Sequence, residues 1–296
     1  MFLLIRVAVN IYSVAGKRIE VKSSTETTGE IIMQDKAWLE WPYTPTNYFE
    51  RPFKFKNKNY EIEICDGRVK VMLFAEEYHK LNTIPENLID DIRSKIDFIF
   101  MAVQLETHSP YDISKTYSFH YAQPNGRESV TIRPEAASMK VSVSSVDFKV
   151  TDSKGNVIVD TRAERIHCKK EFAKLALKYG PKDKTTQSVL RSFRASINDP
   201  GNSLVHLYEI LDALKKKFST REKALTALHI SDDTRWDRLH KLANDEPLKE
   251  GRHRGSFPGQ LRNATQQEVE EATKIAEEMI LKYFYYLNEI ESKDYC

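Results

Sequence analysis

The sequence contains little cysteine and no marked excess of charge of either sign. Cys65, Cys168 and Cys296 are far apart, and they fit neither a disulfide framework nor the ligand spacing of a zinc site. The chain has 45 Lys and Arg residues and 43 Asp and Glu residues, so its formal net charge is only +2. A nucleic-acid site would therefore have to be local. A reducing cytoplasm is the simplest setting for this chain.

A long hydrophobic run is also missing. The apolar start of the chain is interrupted by Arg6 and Asn10, well short of the roughly 18 residues that a membrane helix needs. We interpret residues 2–12 as a first strand and expect no membrane partner. Because metal-ligand spacings, phosphate-binding glycine loops and nucleophile elbows are lacking too, we expect no metal and no cofactor.

What the sequence does contain is enough apolar material for a core, with 41% hydrophobic and 30% charged residues. Residues 60–64 alternate polar and apolar, and Asp66-Gly67 follows them, which is typical of a hairpin. Further hairpins are predicted at 116–132 and at 140–159. Thr83-Ile-Pro-Glu86 places a cap, a proline and a glutamate at the start of a helix that we expect to reach Leu105.

The strand pattern ends near residue 162, and helical spacing follows it. The predicted helices are 163–179, 185–197, 202–218, 219–229, 231–242 and 265–290. We therefore predict an α+β protein with two domains. An N-terminal, mainly antiparallel β domain with one long helix spans 1–162, and an all-α helical domain spans 163–296.

An aromatic group in the first domain suggests either packing or binding. It comprises Trp38, Trp41, Tyr43, Tyr48 and Phe49, which lie among prolines. Packing at an irregular sheet edge is the commoner role of such rings. We hypothesise that the domain nevertheless senses or binds a ligand through Trp38, Trp41 and Tyr43 and thereby controls the helical domain.

A polar loop in the second domain, residues 244–255, is the main candidate for function, because loops held by helices often carry it. Its candidate catalytic residues are Asn244, Glu246, Arg252, His253 and Arg254. Histidine titrates near neutrality and the arginine fork fits phosphate oxygens, so the pair suits metal-free RNA cleavage. The alternative is a solvated loop whose arginines pair with its own carboxylates.

The helical half, with arginine and histidine near the junction of two long helices, resembles the HEPN superfamily. That family's motif is an arginine, commonly a polar residue, and a histidine after a short spacer. Arg235 and His240 match the spacing, although Trp236 is not polar. The resemblance implies a metal-independent endoribonuclease of bacterial defence or toxin systems, with RNA as substrate. It also implies a site built across a homodimer. The segment 243–255 is similar to one that recurs in bacterial proteins.

A second interpretation comes from two short helices at 223–230 and 234–242, which resemble a helix-turn-helix. Arg235, Arg238 and Lys241 would then face nucleic acid without any catalysis. A helical interaction protein is a third possibility.

The last helix suggests how the chain assembles. It has more apolar positions than one stripe requires, because Ile275, Ile280, Phe284, Tyr285 and Tyr286 widen the apolar face. We therefore expect a homodimer formed through the helical half.

Overall fold

The computed structural model describes residues 35–75, 78, 80, 84–123, 127–132, 147, 149–151 and 157–293. The described residues all belong to one compact unit. Several predicted features lie outside the described residues, namely the first strand at 2–12, the cap residue Thr83, the turn at 124–126 and residues 140–146.

An antiparallel sheet holds most of the described strands. These are β1 (Lys36–Thr44), β2 (Phe53–Lys56), β3 (Tyr60–Cys65), β4 (Arg68–Leu73), β5 (Asp112–Ile113), β6 (Ser118–Ala122) and β7 (Glu128–Ile132). Their order is β2-β3-β4-β1-β6-β7, and β5 pairs with the end of β1. A separate ladder joins β8 (Lys149–Thr151) to β9 (Val157–Asp160). The predicted hairpins are confirmed wherever their residues are described.

The turn between β3 and β4 shows why the sequence has Asp-Gly there. Asp66 and Gly67 have φ values of 48° and 79°, which are left-handed values that suit a two-residue hairpin turn. A Cβ at Gly67 would also lie 2.7 Å from Cγ2 of Thr46. Both the backbone conformation and the neighbouring side chain therefore require glycine at this position.

The central strand β1 buries one of its faces. The inward positions are at most 2% exposed and comprise Ala37, Leu39, Trp41 and Tyr43. This alternation is the two-residue period of a strand with one buried face. Trp41 and Tyr43 thus belong to the core between the sheet and the long helix.

The long helix α1 (Glu86–Thr107) is confirmed, and it is shared by two cores. Pro85 occupies its cap position without a side-chain hydrogen bond. One set of side chains packs into the sheet core, namely Ile92, Ile96, Ile99 and Val103. Another set packs among the later helices, namely Phe98, Met101, Ala102 and Leu105. The sheet therefore packs on one face of α1, and the later helices pack on the other.

The later helices agree with the predicted ones to within a few residues. They are α2 (Thr161–Tyr179), α3 (Lys184–Asn198), α4 (Ser203–Phe218), α5 (Arg221–Ala227), α6 (Thr234–His240) and α7 (Gln266–Lys293). The Thr265–Glu268 capping box is present in full, since each residue accepts a hydrogen bond from the backbone N–H of the other. Thr220, rather than Ser219, caps α5.

The change from strand to helix falls between β9 and α2, at residues 160 and 161. The α+β fold class is therefore confirmed. Between residues 165 and 290, which are all described, the only strand-like pairing is an isolated bridge between Leu248 and Arg262. Because α1 packs against both cores, two independently folding domains at 1–162 and 163–296 stay a prediction.

The apolar face of α7 is used within this chain. Ile275, Ile280 and Phe284 are at most 2% exposed in the helical core, whereas Tyr285 is 62% exposed. The wide face that suggested a homodimer is thus mostly accounted for by intramolecular packing. None of the helices in the described part of the chain is long and apolar enough to cross a membrane.

Candidate functional site

The loop after α6 is held against α4 by backbone hydrogen bonds. Residues Lys241–Asp245 extend α6 as a π-helical turn. Arg252 then donates its backbone N–H to the carbonyl of Ala243 at 2.7 Å, and Glu250 accepts from the N–H of Val205 on α4 at 3.3 Å. A Cβ at Gly251 would lie 3.0 Å from the Ala243 carbonyl oxygen. This glycine therefore allows the loop to pack on the π-helical turn.

This packing places His240 and Asn244 beside Tyr208, which is a residue of α4. The Tyr208 hydroxyl lies 3.1 Å from His240 Nδ1, and Asn244 Nδ2 lies 3.2 Å from the same nitrogen. His240 is exposed, and its Nε2 has no partner within the described residues. Asn244 is only 7% exposed, and its Oδ1 has no hydrogen-bond partner among the described residues. One nitrogen of the imidazole is held while the other stays open.

Arg252 also contacts Tyr208. Its guanidinium carbon is 4.5 Å from the centroid of the Tyr208 ring, and the His240 ring centroid is 5.5 Å from that ring. Arg252 Nη1 also donates to Asp212 at 3.2 Å. Tyr208 and Asp212 lie one turn apart on α4 and so present to the same side. We call Tyr208, His240, Asn244 and Arg252 the tyrosine cluster.

The other residues predicted in the loop have different surroundings. Arg254 donates to the carbonyls of Gly251 and Gly201 and to the Asn202 side chain, which fastens the loop to the start of α4. Glu246 is 3.7 Å from Lys241. His253 is exposed and makes no side-chain hydrogen bond within the described chain. Of the predicted loop residues, Asn244 contacts His240 directly, and Arg252 contacts Tyr208, which also contacts His240.

The arginines of the α6 segment are paired with carboxylates of α7. Arg235 forms an ion pair with Glu278, and Arg238 donates to Glu271 at 2.9 and 3.0 Å. The predicted partners Arg235 and His240 are thus engaged by different elements. If this segment bound DNA as a helix-turn-helix, the phosphates would have to replace these carboxylates as the partners of Arg235 and Arg238.

Tyr208 and Asp212 were missed by sequence reasoning. The helical spacing makes Tyr208 one of the apolar positions of α4, and nothing in the sequence distinguishes Asp212 from other surface acids. Their four-residue spacing was the available signal, but no local pattern indicates that the loop folds back onto α4.

A cleft of about 950 Å³ lies elsewhere, between the connection from β1 to β2, the end of α1 and the first half of α2. Glu50 is its centre, since it accepts from Arg165 at 2.7 and 2.8 Å and from Lys169 at 2.8 Å. The hydrogen bonds from Arg165 lower the pKa of Glu50 to about 2. Arg165 also pairs with Asp147. These charges neutralise one another and tie the β1–β2 connection to α2.

The aromatic residues predicted to bind a ligand do not line this cleft, although Tyr48 and Phe49 do. Trp41 and Tyr43 are core residues, so the packing role is the one that their burial supports. Trp38 lies on the opposite face of β1, where it stacks on His120 with ring centroids 4.9 Å apart. A ligand role for Trp38 stays a prediction.

Comparisons with known proteins add no relative. No family model matches the chain, and no curated protein or solved structure matches it. Among the described residues, no group of three or more His, Cys, Asp or Glu side chains is arranged to hold a metal ion. The site must therefore be interpreted from its own geometry.

Proposed function

We propose that the chain is a metal-independent endoribonuclease whose site is the tyrosine cluster. The observation that carries this proposal is that Tyr208 holds an imidazole and a guanidinium together at the surface. These are the two kinds of group that RNA cleavage without a metal requires, one to move a proton and one to stabilise charge on the phosphate. The buried Oδ1 of Asn244, beside the histidine, has no hydrogen-bond partner among the described residues. Because buried polar atoms are normally hydrogen-bonded, this oxygen supports a site that binds a ligand.

The geometry suggests a role for each group. When His240 Nδ1–H donates to the Tyr208 hydroxyl, Nε2 of the neutral ring is unprotonated and open. That nitrogen can take the proton of the 2′-hydroxyl as the hydroxyl attacks the phosphorus, and the imidazolium so formed can give the proton to the leaving 5′-oxygen. Arg252 would stabilise the charge that develops on the phosphate oxygens. Asn244 and Tyr208 position the imidazole.

This proposal combines the two candidate sites from the sequence. His240 comes from the segment with HEPN-like spacing, and Arg252 comes from the loop. RNA as substrate and a place in bacterial defence or toxin systems are proposals that follow from the HEPN resemblance. A homodimer now rests on that resemblance alone. The non-enzymatic helix-turn-helix stays the alternative: Arg235 and Arg238 are bound to carboxylates of α7 and Arg252 to Asp212, so an incoming phosphate would replace a carboxylate in either case.

Replacing Arg252 with glutamine tests the proposal, with Arg51→Gln, which changes an exposed arginine of the β1–β2 connection, as the control. Both variants would be assayed on a labelled single-stranded RNA in the presence of a chelator. Loss of a group that stabilises the developing charge should slow cleavage by roughly 100- to 1,000-fold. The control should keep most of its activity as long as it stays folded. Full activity in Arg252→Gln would refute the assigned role.

A further inference from the structure

The cleft beside Glu50 contains a carboxylate to which the described chain gives no partner. Glu106, in the last turn of α1, lines this cleft and is partly buried. Its side chain makes no hydrogen bond and no ion pair with any described residue. Glu50 and Asp147, by contrast, are both bound to Arg165. Glu106 is therefore a carboxylate of the cleft whose charge no neighbouring side chain neutralises by contact.

The end of α1 is an unfavourable place for an isolated negative charge. The helix dipole has its negative end there, and the last turn carries no basic residue. Burial raises the pKa of Glu106, and the charge of Glu277 adds to that rise. Lys169 acts against the rise, but its hydrogen bonds go to Glu50 and to the Tyr48 carbonyl. The described chain thus binds no cation to this carboxylate.

Other groups around the end of α1 are acceptors as well. Gln104 donates its Nε2 to the Ser109 carbonyl at 3.0 Å, but its own buried Oε1 has no partner among the described residues. Thr107 donates its hydroxyl proton to Tyr48 at 3.2 Å, and Ser109 donates its own to the Thr107 carbonyl at 2.9 Å. With both protons used, these two hydroxyl oxygens of the cleft lining can only accept. The end of α1 therefore has acceptors and lacks donors.

The charge of the cleft also favours a cation. Among the described residues that line it, four are acidic and three are basic, so the formal charge of this lining is −1. A protonated primary amine carries one positive charge and three donors, which are the groups that the end of α1 lacks. The cleft volume of about 950 Å³ is enough to hold a small organic molecule.

We propose that this cleft binds a small organic amine, whose ammonium group pairs with Glu106 and donates to the hydroxyl oxygens of Thr107 and Ser109. The three residues lie within four positions of the chain, and the hydrogen bond between Ser109 and Thr107 fixes their arrangement. A bound ammonium stabilises the charged form of Glu106, which burial and the helix dipole disfavour in the empty cleft. The proposal does not rest on the ribonuclease function.

An NMR titration of the full, isotope-labelled chain with putrescine tests the site. The amide signals of residues 106–109 should shift with saturation in the wild type, whereas a butanediol of the same length, which carries no charge, should leave them in place. Glu106→Gln should bind putrescine roughly 10- to 100-fold more weakly, because it loses a charge-assisted contact. Glu86→Gln is the matched control, since it removes an exposed carboxylate from the first turn of the same helix. Its affinity for putrescine should equal that of the wild type.

Urea unfolding at pH 7 shows whether Glu106 has a structural role instead. Because the folded chain disfavours its charge, Glu106→Gln should unfold at a urea concentration no lower than that of the wild type. A clearly lower midpoint would mean that the carboxylate stabilises the fold, and it would overturn the proposal. Equal affinity of Glu106→Gln and wild type for putrescine, or no saturable shift in the wild type, would overturn it as well. None of these outcomes depends on whether the chain cleaves RNA.

Discussion

Replacing Glu50 with glutamine tests the charge network in the cleft. The Glu50 and Lys169 side chains are 16% and 9% exposed, and their charged atoms are 2.8 Å apart. Glutamine has nearly the same shape, but it would leave the buried Lys169 ammonium without its anion. Removing one partner of a buried pair is costly, so we expect the free energy of unfolding at pH 7 to fall by roughly 3 kcal/mol.

The pH dependence gives the same magnitude independently. The pKa of Glu50 is lowered from 4.5 to about 2, first by the hydrogen bonds from Arg165. A carboxyl whose pKa is lowered on folding stabilises the protein above its unfolded pKa, and this stabilisation is lost as the pH falls toward the folded pKa. Such a shift corresponds to about 3 kcal/mol, before a reduction for solvent at the mouth of the cleft. Less than half of it should remain at pH 3.

Urea unfolding of wild type and Glu50→Gln, followed by tryptophan fluorescence at pH 7 and pH 3, measures this difference. Glu63→Gln is the matched control, because the Glu63–Lys54 pair is 2.9 Å long but lies at the surface. We expect the control to lose less than about 1 kcal/mol. If Glu50→Gln lost the same free energy at both pH values, or no more than the control, our interpretation of the network would be refuted.

Three further substitutions test packing and capping, each by its free energy of unfolding in urea. Thr265→Ala should cost about 1 kcal/mol, because it removes the N-cap acceptor of α7; no change would argue against the capping box. Gly251→Ala should cost roughly 1–3 kcal/mol, since its Cβ would press on the Ala243 carbonyl, whereas Gly255→Ala meets no atom within 4 Å and should cost less. Trp41→Ala should cost roughly 3–5 kcal/mol if the ring is core, and a cost below 1 kcal/mol would restore the pocket hypothesis.

The elements could be predicted because their signals are local. Asp66-Gly67 specifies a hairpin turn, and Thr265 with Glu268 specifies a helix start, each within four residues of sequence. The sharing of α1 between two cores could not be seen in this way. Its sheet-facing isoleucines and its helix-facing Phe98 and Met101 are both ordinary apolar positions until the partners on each side are known.

The candidate site was predicted only in part for the same reason. His240 and Arg252 are twelve positions apart and belonged to two separate hypotheses. They come together because Gly251 lets the loop fold onto the π-helical turn and because Tyr208 on α4 touches both. Such tertiary contacts have no period or motif in the sequence. The other candidate arginines, Arg235 and Arg254, were equally plausible by residue type alone.

Cleavage of a labelled RNA by His240→Ala and by His253→Ala, beside wild type and with a chelator present, is the most direct test of the proposed site. If His240 moves the proton, its loss should slow cleavage by roughly 100- to 10,000-fold. His253→Ala should retain activity close to that of wild type, because His253 has no partner in the described chain that positions its ring. Loss of activity in His253→Ala alone, or no cleavage by the wild type, would contradict the assignment of the tyrosine cluster as the site of RNA cleavage.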